Sequence, residues 1–245
     1  MGFIKKIGRK LAPYLFVLII LALLLSVFFI DNIKSILILL IVAFITYSII
    51  SRTAWFKQYV LNRLRGAFWH IYLKSGRHLN VAANVKFLNP SKITLGEHVD
   101  VAENVAFCPL NNIGETKYPS EIIVGNRVHF GPFDRIASME KVTIEDDVLF
   151  AAFVHVTDHS HEYRKAGVPV WQQGVYSEGP VVIKRGAWLG FGCHVLSGVT
   201  IGEFSIVGAN STVTKSIPPY SVAVGSPARV VKRFNFDTNT WESVK

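Results

Sequence analysis

The sequence predicts a mainly β chain: a solenoid of short parallel strands stacked in three-cornered coils, preceded by an N-terminal transmembrane helical hairpin. Two observations predict it. Aliphatic residues recur every six positions at Ile183, Leu189, Val195, Ile201, Val207 and Val213, and two long apolar runs fill most of the stretch before Arg52. Composition agrees, because 50% of the 245 residues are apolar and 18% charged, with a mean hydropathy of +0.34. That excludes a disordered or fibrous chain and is more apolar than an ordinary soluble domain. The two cysteines, Cys108 and Cys193, rule out a disulfide framework and a four-cysteine zinc site, and fit a reducing compartment.

The first element is an anchor over residues 1–52. Leu11 to Ile30 is interrupted only by Pro13 and Ser26. At about 1.5 Å per helical residue it spans about 30 Å, the thickness of the bilayer hydrocarbon. Ile36 to Ile50 is a shorter second run that either crosses, with Lys34 and Arg52 reaching to the interface, or inserts as a re-entrant hairpin. Lys5, Lys6, Arg9 and Lys10 precede the hairpin and Arg52, Lys57, Arg63 and Arg65 follow it. The positive-inside rule then places both ends in the cytoplasm, so the expected location is the cytoplasmic membrane with the following domain facing the cytosol. Residues 1–80 carry eleven Lys/Arg against the single acid Asp31, while the remainder is nearly balanced. Basic residues flanking apolar runs point to anionic lipid rather than nucleic acid as the counter-charge. A cleaved signal peptide shares the basic start and apolar core, but no small-residue cleavage site precedes the second run.

Residues 53–78 form the second element. Between Thr53 and Leu73, aromatic and aliphatic residues alternate with Lys57, Arg63 and Arg65. This pattern reads either as an amphipathic helix lying in the membrane interface or as a helix covering the end of the next domain.

The third element, residues 79–220, holds the repeat. Four positions after each aliphatic from Ile183 to Val213 come Ala187, Cys193, Val199, Ser205, Ser211 and Ile217, mostly small residues suited to a tight inner corner. The same beat, with frame slips, runs through Val81-Phe87-Ile93, Leu95-Val101-Phe107, Val124-Phe130-Ile136 and Ile144-Phe150. Six is not a helical period, and Gly at fixed phase would cost a helix about 1 kcal/mol each time. Short strands turning three corners per coil satisfy it, with one large side chain per face packing on its counterpart in the next coil. Residues 221–245 are left as a C-terminal tail.

With that repeat on the page, several segments are similar to the hexapeptide-repeat acyltransferases, in particular the galactoside, maltose and nodulation O-acetyltransferases and related polysaccharide-biosynthesis acetyltransferases. They are Val156-Thr157-Asp158-His159-Ser160-His161-Glu162-Tyr163, Gly186-Ala187-Trp188-Leu189-Gly190, the stretch Gly208 to Pro219, and Gly225-Ser226-Pro227-Ala228-Arg229 with Val230-Val231-Lys232-Arg233. The resemblance implies a left-handed parallel β-helix, a homotrimer, and acetyl transfer from acetyl-coenzyme A (acetyl-CoA) to a sugar hydroxyl without a metal. The hairpin is not part of those soluble relatives. It points toward a cell-surface polysaccharide or lipid-linked glycan precursor as acceptor.

The rhythm fails twice, at Cys108 to Glu121 and at Thr157 to Pro180, and loops interrupting a rigid repeat often carry chemistry. Transfer from a thioester to a hydroxyl needs a base that titrates near neutral pH, which is histidine's property. The resemblance gives that role to His159, with His161 as the competing base. Asp158 or Glu162 is then available to stabilise the imidazolium. It also implies that the Phe191 amide is the oxyanion donor and that Trp188 walls the donor and acceptor site. By the same resemblance, Ala209, Thr214 and Lys215 fall where relatives line the pantetheine and nucleotide groove, and Arg229 and Lys232 fall where basic side chains meet the coenzyme phosphates. His129, His155 and His194 share one outward phase, which leaves open a zinc enzyme of the γ-class carbonic anhydrase type. A non-enzymatic β-helix scaffold that recruits partners at the membrane is the third reading.

Overall fold

The computed structural model describes residues 40–44, 54–113 and 115–244. The chain divides into two compact units, residues 1–61 and 62–245. Most of the expected hairpin lies outside the described residues; within it, residues 40–44 are helical. Among the described residues no helix is long and apolar enough to cross a membrane.

The second unit is mainly β, built of three parallel sheets that share one core. The first face stacks Lys74–Ser75, Ile93–Leu95, Glu121–Val124, Lys141–Ile144, Val181–Ile183 and Thr200–Ile201. The second runs from Asn80–Val81 through Asp100–Val101, His129–Phe130, Leu149–Phe150 and Trp188–Leu189 to Ile206–Val207. The third stacks Lys86–Phe87, Ala106–Pro109, Arg135–Ser138, His155–Thr157, His194–Val195 and Thr212–Val213. Every hexad aliphatic from Ile183 to Val213 is fully buried, as are the corner residues Ala187, Cys193, Ser205 and Ser211. Each large buried aliphatic contributes about 1.5–3 kcal/mol. Phe87 stacks on Phe107 at 5.0 Å and Phe130 on Phe150 at 4.8 Å, so the early coils close around aromatic pairs.

The frame slips have one location. Ile183 pairs with Ile201, Leu189 with Val207 and Val195 with Val213, an eighteen-residue coil. Earlier coils pair Val81 with Val101 and Ile136 with Val156, a twenty-residue coil. The extra residues fall at the corner leading from the third face to the first, and both long interruptions leave the coil at that same corner.

The corners leading from the first face to the second and from the second to the third have a left-handed residue three positions after the inward residue, as does the one after Val195. Glycine or asparagine takes it without strain at Gly186, Gly192, Gly198, Asn84, Asn104 and Asn210. Elsewhere the position holds bulky residues that pair up the solenoid: Phe133 stacks on Phe153 at 4.8 Å and His78 on His98 at 4.5 Å. These stacks offset the backbone strain. Gly131 is needed for a different reason, since a Cβ there would run into the carbonyl of Ala151 in the next coil.

The helix Ala54–Trp69 leads in to the solenoid. Buried Gly66 sits against the Leu79 carbonyl and Trp69 packs edge-on to Phe87 at 4.8 Å, so the last turns of this helix cover the first coil. Leu64, Phe68, Ile71 and Tyr72 remain exposed. At the other end the tail is not irregular. Ser221–Gly225 continues the second face in parallel, and Ala228–Asn235 and Thr240–Ser243 add to it as antiparallel strands.

Candidate active site

Asp158 and His159 sit where the third face ends. Asp158 is completely buried, yet its carboxylate is surrounded by donors. The preceding coil's corner aims three amides at it: Met139 N–H at 2.6 Å, Glu140 N–H at 2.8 Å and Lys141 N–H at 2.7 Å, with the Ser138 hydroxyl at 3.3 Å. Burial alone would raise this carboxyl, but the hydrogen bonds from His159 and from the Met139 and Glu140 amides outweigh it and hold it below the usual range. A stable buried anion is the result.

His159 Nδ1 lies 3.0 Å from Asp158 Oδ1, with only 18% of its side chain exposed. An anionic partner fixes the tautomer: Nδ1 carries the hydrogen and donates it, leaving the Nε2 lone pair free. Thr157 Oγ1 donates to the His159 carbonyl at 2.9 Å, pinning the backbone as well. Ser197 Oγ donates to the Asp158 carbonyl at 2.7 Å and accepts from Glu178 N–H at 2.6 Å, tying the start of the second interruption to its return.

Both interruptions fold into hairpins, Asn112–Ile113 against Thr116–Lys117 and Ser160–His161 against Val175–Tyr176. Together they wall a pocket of 660 Å³ whose floor is the third face and whose lining includes His159, His161, Tyr176, Ile113, Arg135 and His155. His155 is neighboured by Arg135 and His194. Burial, and then the nearby His194 and Arg135, push its imidazole down to about 4, so it is neutral at pH 7.

Of the residues singled out from the sequence, Asp158, His159, His161 and Thr214 are brought to this pocket or its edge. Glu162 is not: its carboxylate pairs with Arg164 at 2.8 Å in the exposed part of the loop. Trp188 points outward from the second face and is 46% exposed, and Phe191 lies at the next corner, 5.4 Å from Phe153. Neither lines the pocket within one chain, nor do Ala209, Lys215, Arg229 and Lys232. Arg229 and Lys232 lie on the antiparallel extension. His129 pairs with Asp100 at 3.0 Å on the second face, apart from His155 and His194, so the three histidines do not converge within the chain. Among the described residues no group of three His, Cys, Asp or Glu is placed to hold a metal ion. Cys193 is buried and its thiol is pushed up to about 12, which makes it inert. Arg135 and Tyr176 are not singled out by the sequence, and His155 is marked there only as one of three outward histidines, not as part of this pocket. For Arg135 and His155 the signal is the outward phase of the third face, readable only once the register across the interruptions is known; Tyr176 lies in the hairpin Ser160–His161 against Val175–Tyr176, where the repeat gives no signal.

The family model described as "Bacterial transferase hexapeptide (six repeats)" matches residues 180–215. The galactoside O-acetyltransferase of Escherichia coli K12 is 34% identical over 177 residues, covering 71% of this chain and 79% of that one. The chain belongs to the hexapeptide-repeat acetyltransferases. A second family member from the same organism, WbbJ, is named as a lipopolysaccharide biosynthesis O-acetyl transferase. It is 38% identical over 127 residues, 49% of this chain, and the match spans 65% of WbbJ's length. Among solved structures, the N-acyltransferase AntD from Bacillus cereus, in complex with dTDP and 3-hydroxybutyryl-CoA, shares the fold at a TM-score of 0.57 and 19% identity. That likeness covers 71% of this chain and 90% of AntD.

Proposed function

We propose that this protein is an acetyl-CoA-dependent O-acetyltransferase acting on a sugar hydroxyl of a cell-surface polysaccharide or lipid-linked glycan precursor. The observation that carries the reading is the buried Asp158 carboxylate bonded to His159 at the edge of an open pocket. The acceptor hydroxyl gives its proton to His159 Nε2 as its oxygen attacks the thioester carbonyl. The tetrahedral intermediate then collapses, the C–S bond breaks, and the departing thiolate takes the proton back from the imidazolium. An ester and free coenzyme A result, with no acyl-enzyme between them. Asp158 remains charged throughout and stabilises the imidazolium.

The Phe191 amide is the oxyanion donor in this reading. Trp188, Ala209, Thr214, Lys215, Arg229 and Lys232 form a coenzyme groove completed by a neighbouring copy, which makes the working unit a homotrimer of left-handed β-helices. The names of the galactoside enzyme and WbbJ support a glycan hydroxyl as acceptor. Residues 1–52 anchor the enzyme in the cytoplasmic membrane, with the catalytic unit on the cytoplasmic side. Mass spectrometry of surface glycan from a deletion strain should show one acetyl group missing, restored by the wild-type chain. Unchanged glycan, together with no heat of acetyl-CoA binding to the purified protein, would leave the scaffold reading in its place.

A further inference from the structure

We propose that the acceptor carries an anionic oxygen group, a carboxylate or a phosphate ester, and that Arg135 with Lys86 holds it on the third face beside the His159 pocket. This rests on the acetyl-transfer reading and adds the acceptor's charge.

Arg135 lines the pocket that contains His159, and its guanidinium has no ion pair or hydrogen bond among the described residues. Lys86 is likewise unpaired among the described residues. The register sets Lys86, Ala106 and Arg135 side by side as Cα partners in consecutive coils. Strands in a sheet lie about 4.8 Å apart, so the two cations stand about 10 Å from each other across a methyl group. That gap suits an anionic group bound from both sides by long, flexible side chains. Both cations lie close enough to the Cys108 thiol to oppose the upward push of burial on it.

Among the described residues no carboxylate pairs with Arg135 or Lys86, and the Asp158 carboxylate is taken up by His159 and the Met139, Glu140 and Lys141 amides. Asp134 faces the core and accepts the Gly131 and Val154 amides. Glu178, the one carboxylate among the pocket-lining residues described, acts on Tyr176 and Arg164 at the hairpin side. His155, next to Arg135 in register, is neutral at pH 7, so it adds a hydrogen-bonding group to the row but no charge. The pocket is therefore polarised, with its cationic end along the third face toward the first coils. Arginine's planar fork matches carboxylate and phosphate oxygens in pairs, which lysine and histidine alone do not.

The test uses the full chain in detergent with acetyl-CoA and three probe acceptors: p-nitrophenyl β-glucoside, p-nitrophenyl β-glucuronide and glucose 1-phosphate. Coenzyme A release gives kcat/KM for each, and calorimetry gives probe binding in the presence of coenzyme A. A charge-assisted contact is worth about 10- to 100-fold, so the wild type should favour one of the anionic probes over the glucoside by that factor. Which anionic probe wins separates carboxylate from phosphate. In Arg135→Gln the preference should fall at least about tenfold, and in Lys86→Gln by a smaller factor, with unchanged melting temperatures because both side chains are exposed. Equal use of charged and neutral probes, or a preference that survives Arg135→Gln, overturns this proposal and leaves acetyl transfer standing. No coenzyme A release from any probe would count against the transfer reading instead; the anion site is then decided by whether Arg135→Gln weakens probe binding.

Discussion

Asp158→Asn isolates the dyad, because it changes one atom and keeps the shape. Asp158 Oδ2 accepts from the Glu140 and Lys141 amides and the Ser138 hydroxyl, while Oδ1 accepts from the Met139 amide and lies 3.0 Å from His159 Nδ1. An asparagine places its oxygen where two amides converge, at the Oδ2 position. Its NH₂ then faces the Met139 N–H and His159 Nδ1. The Met139 amide loses its acceptor, costing about 1–3 kcal/mol of stability. His159 must turn Nδ1 into an acceptor, which moves its hydrogen to Nε2 and removes the lone pair that takes the acceptor's proton. The same tautomer error in a serine-protease triad lowers kcat about 10⁴-fold. The expected result here is a fall in kcat of about 10³-fold or more, with acetyl-CoA affinity changed less than about threefold. Coenzyme A release trapped with a thiol reagent measures the first and calorimetry the second. A folded Asp158→Asn protein with kcat within tenfold of wild type would refute the reasoning.

Gly131→Ala should cost about 3 kcal/mol in denaturant unfolding, since its Cβ meets the Ala151 carbonyl, whereas Gly167→Ala, with open space around it, should cost only about 1 kcal/mol, from a side chain at its left-handed φ of 76°; equal losses would contradict the stacked-coil geometry. Burial pushes the Asp134 carboxyl up to about 8, against the opposing Val154 and Gly131 amides. A folded value above the unfolded one, about 4, means its stabilisation is complete below pH 4 and is lost as pH rises through 8. The wild-type melting temperature should therefore drop more between pH 6 and 9 than that of Asp134→Asn, and parallel profiles would sink the assignment. Glu162→Gln should keep activity within about twofold, because Glu162 pairs with Arg164 in the exposed loop; a tenfold loss would return it to the dyad's place.

How much of this was legible beforehand depends on range. The six-residue period identified the inward residues from Ile183 to Val213 individually, because one side chain per face is a local rule. The early coils were harder, since Ile93 and Leu95 both point inward at a corner lengthened by two residues, and phase alone does not say at which corner the addition falls. At the site, His159 stood out by residue type and position, but Asp158 and Glu162 were equivalent as neighbours in sequence. What separates them is burial and three amides from the previous coil, contacts seventeen to nineteen residues away. Arg135 escaped, and His155 was marked only as an outward histidine without its place beside Arg135, for a related reason. They join His194 in one row only through registers of twenty and thirty-nine residues, and the second spans an interruption whose length the period does not predict. The tail's antiparallel strands lie outside the repeat, so periodicity had nothing to say about them.

The most direct measurement is acetyl transfer by His159→Ala beside wild type, with both proteins titrated by acetyl-CoA. With His159 as the base, coenzyme A release falls at least about 10³-fold while acetyl-CoA still binds within about threefold of wild type. A variant that binds acetyl-CoA and retains a tenth or more of the wild-type rate would contradict the account and move the base to His161.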